Sequence, residues 1–123
     1  MTVWGRLAAH VTLWRWLLAI AMLALLVLSL MPASLSPPGT GWDKGNHVLG
    51  FAVLAFLAHW ARPARRPKTL LALFGYGVLI EALQSLTPDR LTEWNDLWAD
   101  GVGLLMGAVF ALMVQRLAVV RLS

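Results

Sequence analysis

Four apolar runs, parted by polar or proline-bearing breaks, make up most of the chain. The first extends from about Trp14 to Met31, with Arg15 at its head and no other charge inside. It is long enough to cross a hydrocarbon core about 30 Å thick as a helix. Residues 32–41 read PASLSPPGTG, a proline- and glycine-rich stretch that cannot continue a helix and predicts a loop. The second run, 47–61, is short for a full crossing, with Trp60 and Arg62 placed to anchor its far end. Asp43 or Asn46 suits its N-cap. After the loop Arg62-Pro63-Ala64-Arg65-Arg66-Pro67-Lys68 the third run covers 69–86 and stops at Thr87-Pro88-Asp89-Arg90. The fourth goes from about 94 to 120 and closes on Arg116 and Arg121. Ahead of the first run, Leu7, Val11 and Trp14 are spaced for an interfacial lead-in helix.

Polar residues break this pattern at one level of the chain. Glu81 and Gln84 lie inside the third run, and Asp96 and Asp100 near the start of the fourth. Glu81 stands about five residues from the end of its run, roughly 7 Å into the apolar zone. Charges at such depth are costly, so a functional reading is the default. Helical spacing puts Gly77, Glu81, Gln84 and Ser85 on one face, with the glycine expected to admit a neighbouring backbone. Asp96, Asp100, Gly103 and Gly107 share another face, the two glycines forming a packing seam. His47, Gly50, Phe51, Leu54 and Ala58 share a third. The three faces are expected to converge on one pocket.

Composition places the chain in the membrane class: 59% of its 123 residues are hydrophobic and 13% charged. One all-α integral membrane domain, a four-helix bundle spanning residues 1–123, is the expected architecture. The net charge of +4 does not point to nucleic acid. The basic residues gather where apolar runs end, and no basic face remains once the helices are in lipid. Four crossings with both termini cytoplasmic put eight of the ten Lys and Arg inside and none of the six acids. Only Lys44 and Arg90 then face outward. A cleaved leader would share the Arg15 head, the leucine-rich run and the small residues Ala33, Ser34 and Ser36. The long positive region, the near-spanning length and Pro37 favour an uncleaved helix. With no cysteine, disulfides, thiolate nucleophiles and cysteine metal sites are excluded.

Several residues have an ordinary reading. Trp14, Trp16, Trp42, Trp60, Trp94 and Trp98 sit near expected interfaces and read as an aromatic belt. His59 reads as interfacial beside Trp60, and Asp89 and Glu93 as solvated or capping loop acids. Glu81 has a rival structural role as a buried partner of Arg90 or Lys44 that locks the helices. Such a pair rarely repays its desolvation cost.

The ordered set Asp43-Lys44, His47 and Phe51, Glu81-x-x-Gln84, Pro88-x-Arg90, Asp96, Gly103 and Gly107 resembles the VanZ-like family of small multi-pass membrane proteins. Its namesake is associated with low-level teicoplanin resistance. The resemblance covers residues 43–107 directly and the leading helix by position. It implies a bacterial cytoplasmic-membrane protein with its motif residues (Asp43, Lys44, His47, Glu81, Gln84, Arg90 and Asp96) near one membrane face. Two positions depart from the pattern: Asp89 stands where glycine is expected, and Asp100 where asparagine is. The second adds a negative charge and favours a metal or a protonated carboxyl.

Three functions stay open. In the first, the pocket binds or modifies a lipid-linked or anionic envelope component and thereby influences glycopeptide susceptibility. Asp43, Lys44, Gln84 and Arg90 hold the ligand, and His47, Glu81 and Asp96 are the candidate catalytic groups. Asp96 and Asp100 are candidate ligands of a divalent cation. No nucleophile stands out, so hydrolysis and acyl transfer lack support. In the second, the cluster is a structural or partner-binding element of a non-enzymatic scaffold. In the third, Glu81 is the relay carboxyl of a small ion-coupled transporter, which four helices without an inverted repeat support only in an oligomer.

Overall fold

The computed structural model describes residues 6, 9–32, 43–87 and 94–122, without the side chains of residues 43 and 119–122. Among them are four α-helices and one 3-10 turn: α1 (Val11–Leu30), α2 (Asp43–Ala61), the turn Pro63–Arg65, α3 (Arg66–Gln84) and α4 (Asp96–Leu122). No strand occurs among the described residues. The protein is all-α. The lead-in around Leu7, most of the 32–41 loop, Trp42, and the break holding Pro88, Asp89, Arg90 and Glu93 fall outside the described residues.

Local chemistry accounts for the helix ends. Helix α1 contains neither glycine nor proline and stops where Met31 turns extended (φ −62°, ψ 145°) ahead of Pro32. Helix α2 begins at Asp43, so Lys44 and Asn46 lie within its first turn rather than before it. Its last carbonyls accept from two arginines: Arg15 Nε donates to Ala61 O (3.1 Å) and Arg66 Nε to His59 O (3.3 Å). Cations at a helix C-terminus also suit its dipole. Helix α3 carries Pro67 in its first turn, where a missing N–H costs nothing. Its end tightens as Leu86 and Thr87 donate to Leu83 O and Gln84 O, leading into Pro88.

Helix α2 is central and touches the other three; its largest interface is with α4. That interface is built from small residues. A Cβ on Gly103 would collide with the Val48 carbonyl, and one on Gly107 with the Ala52 carbonyl. Ala55, Ala58, Ala99 and Ala111 are buried nearby. Close backbone approach of this kind is how helices associate where no hydrophobic force between them is available. The core proper is Phe51, Leu54, Ala55, Ala58, Leu73, Ile80 and Leu104.

Helix α1 buries no residue and lies on the outside. Side-chain hydrogen bonds pin it: Tyr76 Oη donates to Met22 O (2.6 Å) and Gln84 Nε2 to Ser29 O (2.8 Å). Helix α1 and the Asp96–Ala118 part of α4 are long and apolar enough to cross a membrane. The outer surface is apolar too, with Leu23, Leu105 and Leu117 each at least 60% exposed. Trp16, Trp94 and Trp98 belong to it. Trp60 does not: it is buried, its ring 6.1 Å from Trp14 and 4.6 Å from His59. His59 is buried as well, its Nε2 donating to Gln115 Oε1 at 2.8 Å. These two residues are interior packing between α2 and its neighbours, where the sequence reading expects an interfacial pair.

Candidate functional site

Three helix ends meet at one level of the bundle. Lys44 and His47 are three apart on the first turns of α2, and Asp96 and Asp100 four apart on the first turns of α4. Glu81 comes from the last turn of α3. Two of the three ends are helix N-termini, whose unsatisfied N–H groups favour nearby negative charge. This is one reason carboxylates can gather here.

His47 is the centre of the arrangement. Its Nδ1 lies 2.8 Å from Asp100 Oδ1, at hydrogen-bond distance. Its Nε2 faces the other two acids, 3.5 Å from Asp96 Oδ2 and 3.9 Å from Glu81 Oε1. An ionised Asp100 only accepts, so it holds the proton on Nδ1 and directs Nε2 toward Glu81 and Asp96. The two oxygens of Asp96 are divided: Oδ1 accepts from Lys44 Nζ at 3.2 Å, and Oδ2 faces the imidazole.

Burial is nearly complete. Glu81 and Asp100 are fully buried, Asp96 is 6% exposed, and the Lys44 side chain is 24% exposed. Gly77, a turn from Glu81, makes the room for Asp100. A Cβ there would stand 2.5 Å from Asp100 Oδ2 and 3.2 Å from the Phe51 ring tip. The sequence reading expects this glycine to admit a backbone, whereas what it admits is a carboxylate.

Of the sequence-derived candidates, the fold therefore brings Lys44, His47, Glu81, Asp96 and Asp100 together. Gln84 is buried one turn from Glu81, and its amide is spent on the Ser29 carbonyl of α1. Gly103 and Gly107 lie against the α2 backbone below the cluster. Arg90 and the side chain of Asp43 lie outside the described residues. Two polar features escaped the sequence reading, the His59–Gln115 pair and the Tyr76–Met22 bond. Their partners are 56 and 54 residues apart, and no local signal joins them.

Chemically the cluster offers a part-buried imidazole with a carboxylate hydrogen-bonded at Nδ1 and two more facing Nε2, able to take up or pass a proton. His47, Glu81 and Asp96 also present ligand atoms within 4.8 Å of one another, a set able to hold a metal ion. No curated protein and no solved structure matches the chain. A model of the VanZ/LLP1 family matches residues 7–115, a stretch that takes in every residue of this cluster, and the chain belongs to that family.

Proposed function

We propose that this is a multi-pass protein of the bacterial cytoplasmic membrane whose four helices all cross, with both termini in the cytoplasm. Its His47 cluster opens toward the outer face and binds the anionic head group of a lipid-linked envelope component. The observation that carries this reading is the placement of the imidazole: Asp100 on one ring nitrogen, Glu81 and Asp96 facing the other, and the partly exposed Lys44 cation on Asp96. The apolar outer surface and the gathering of cations at one set of helix ends support the membrane setting. Lys44, with Arg90, supplies positive charge to a phosphate or carboxylate. His47 and Glu81 supply proton transfer if the ligand is modified as well as held. Glycopeptide susceptibility would follow from altered access to such a component.

A second reading has a specific observation behind it. The Lys44–Asp96 ion pair joins α2 to α4 above the Gly103–Gly107 seam, as a purely structural clamp would. The two readings separate in one experiment. Wild type, Glu81→Gln, Lys44→Ala and Arg90→Ala are purified in mild detergent, and co-purifying lipids are identified by mass spectrometry. Ligand binding predicts one anionic lipid species retained by wild type and lost from Lys44→Ala and Arg90→Ala. Equal lipid content throughout, with only thermal stability altered, would favour the clamp.

A further inference from the structure

We infer that His47 Nε2, Glu81 and Asp96 form the binding site of one divalent transition-metal ion of the Zn2+ type, with Asp100 orienting the imidazole. The inference deepens the reading above and rests on its taking this cluster as the working site.

Distances are the first argument. The 3.5 and 3.9 Å from His47 Nε2 to Asp96 Oδ2 and Glu81 Oε1 exceed the hydrogen-bond range of about 2.7–3.2 Å. They lie near the roughly 3.4 Å edge of a tetrahedron whose corners stand about 2.1 Å from a metal. The three donors come from three different helices, so only the tertiary fold sets this spacing.

Donor chemistry is the second. One imidazole with two carboxylates suits Zn2+ and its first-row neighbours better than Mg2+ or Ca2+, which prefer all-oxygen shells. Asp100 on Nδ1 completes a carboxylate–histidine–metal arrangement, the usual means of fixing a ligand imidazole's tautomer and direction. Lys44 occupies Asp96 Oδ1 and leaves Oδ2 facing Nε2.

Charge is the third and is independent of the spacing. Among the described residues three carboxylates and the Lys44 ammonium gather around the His47 ring, and the fully buried Asp100 Oδ2 has no hydrogen-bond partner there. Buried carboxylates are costly unless cations balance them. A dication between Glu81 and Asp96 would add to that balance. Three protein ligands would leave a coordination position for an anionic oxygen of the bound head group.

The test uses the full chain with a histidine-free affinity tag, stripped by chelator in detergent. Zn2+, Mn2+ and Mg2+ are then titrated separately, and bound metal is measured by elemental analysis alongside the melting temperature. About one Zn2+ per chain, with a raised Tm, is expected of wild type and of the control His59→Gln. His47→Gln and Glu81→Gln should lose both effects. Asp100→Asn, which keeps all three ligands, should bind about 10–100-fold more weakly. That variant also reads out the site if His47→Gln does not fold. Wild type that takes up no more Zn2+ than the folded ligand variants would overturn the inference, leaving water or protons between these groups. If the anionic lipid is retained while metal fails to bind, the site is an acid–base pocket. If metal binds without any lipid, the metal site stands and the lipid reading falls.

Discussion

Gly77 and Asp100 occupy one space between them: the carboxylate of Asp100 fills the volume that any side chain at position 77 would need, with a Cβ there only 2.5 Å from Oδ2. The glycine is thus a condition for the orientation of His47, through Asp100. Gly77→Ala should push Asp100 off His47 Nδ1 and destabilise the protein by about 1–3 kcal/mol, as overpacking of a filled core does. The check is a thermal melt in detergent together with Zn2+ uptake, both of which should fall. An unchanged melt would mean that the carboxylate can swing aside freely.

The same reasoning ranks the other glycines. Gly107→Ala puts a methyl onto the Ala52 carbonyl of α2, a backbone atom that cannot rotate away, and Gly103→Ala does the same to Val48. Either change should separate α2 from α4 and lower the melting temperature sharply. Gly75 has nothing within 4 Å of its would-be Cβ. Gly75→Ala should therefore be neutral, or stabilising by up to about 1 kcal/mol through helix propensity. A Gly75→Ala variant as damaged as Gly107→Ala would refute this ordering.

Far from the cluster, the part-buried His59–Gln115 hydrogen bond makes its own forecast. Gln115→Leu leaves a buried ring N–H without its acceptor, and His59→Leu leaves a half-buried amide oxygen without its donor. Each should cost about 1–3 kcal/mol. The double variant His59→Leu with Gln115→Leu should cost less than the sum of the two, because both orphaned groups are gone. Melting temperatures of the four proteins give the coupling directly, and strict additivity would mean that the pair contributes nothing.

Topology is open to a direct check because the chain has no cysteine. Single substitutions Lys68→Cys and Trp94→Cys, both at exposed positions, should label with a membrane-impermeant thiol reagent from opposite sides. With four crossings and cytoplasmic termini, Trp94→Cys reacts in intact cells and Lys68→Cys only after the membrane is opened. Labelling of both from the same side would remove at least one crossing.

These forecasts draw unequally on sequence and on structure. That Glu81, Asp96, Asp100 and His47 belong to one place was legible from spacing, since each pair on a helix follows from 3.6 residues per turn and each break from proline and glycine. How they meet was not. Gln84 and Glu81 read as one face, yet one reaches the Ser29 carbonyl of α1 while the other lies 3.9 Å from His47. Trp60 and His59 read as interfacial because they close an apolar run beside arginines. They are interior because Trp14 and Gln115 come to them from elsewhere in the chain.

The sequence by itself determined the all-α class, the apolar helices, the family and the short list of polar residues inside the greasy runs. All of these rest on local signals: backbone bonds four residues apart, apolar stretches of sufficient length, and residues that stop a helix. Only the tertiary structure decided the division of labour at His47, with Asp100 on one nitrogen and Asp96 and Glu81 facing the other. Lys44 meets Asp96 across 52 residues of chain, and His47 meets Asp100 across 53. Such contacts depend on how far each helix is rotated and how closely its backbone is approached, and Gly77, Gly103 and Gly107 set that approach.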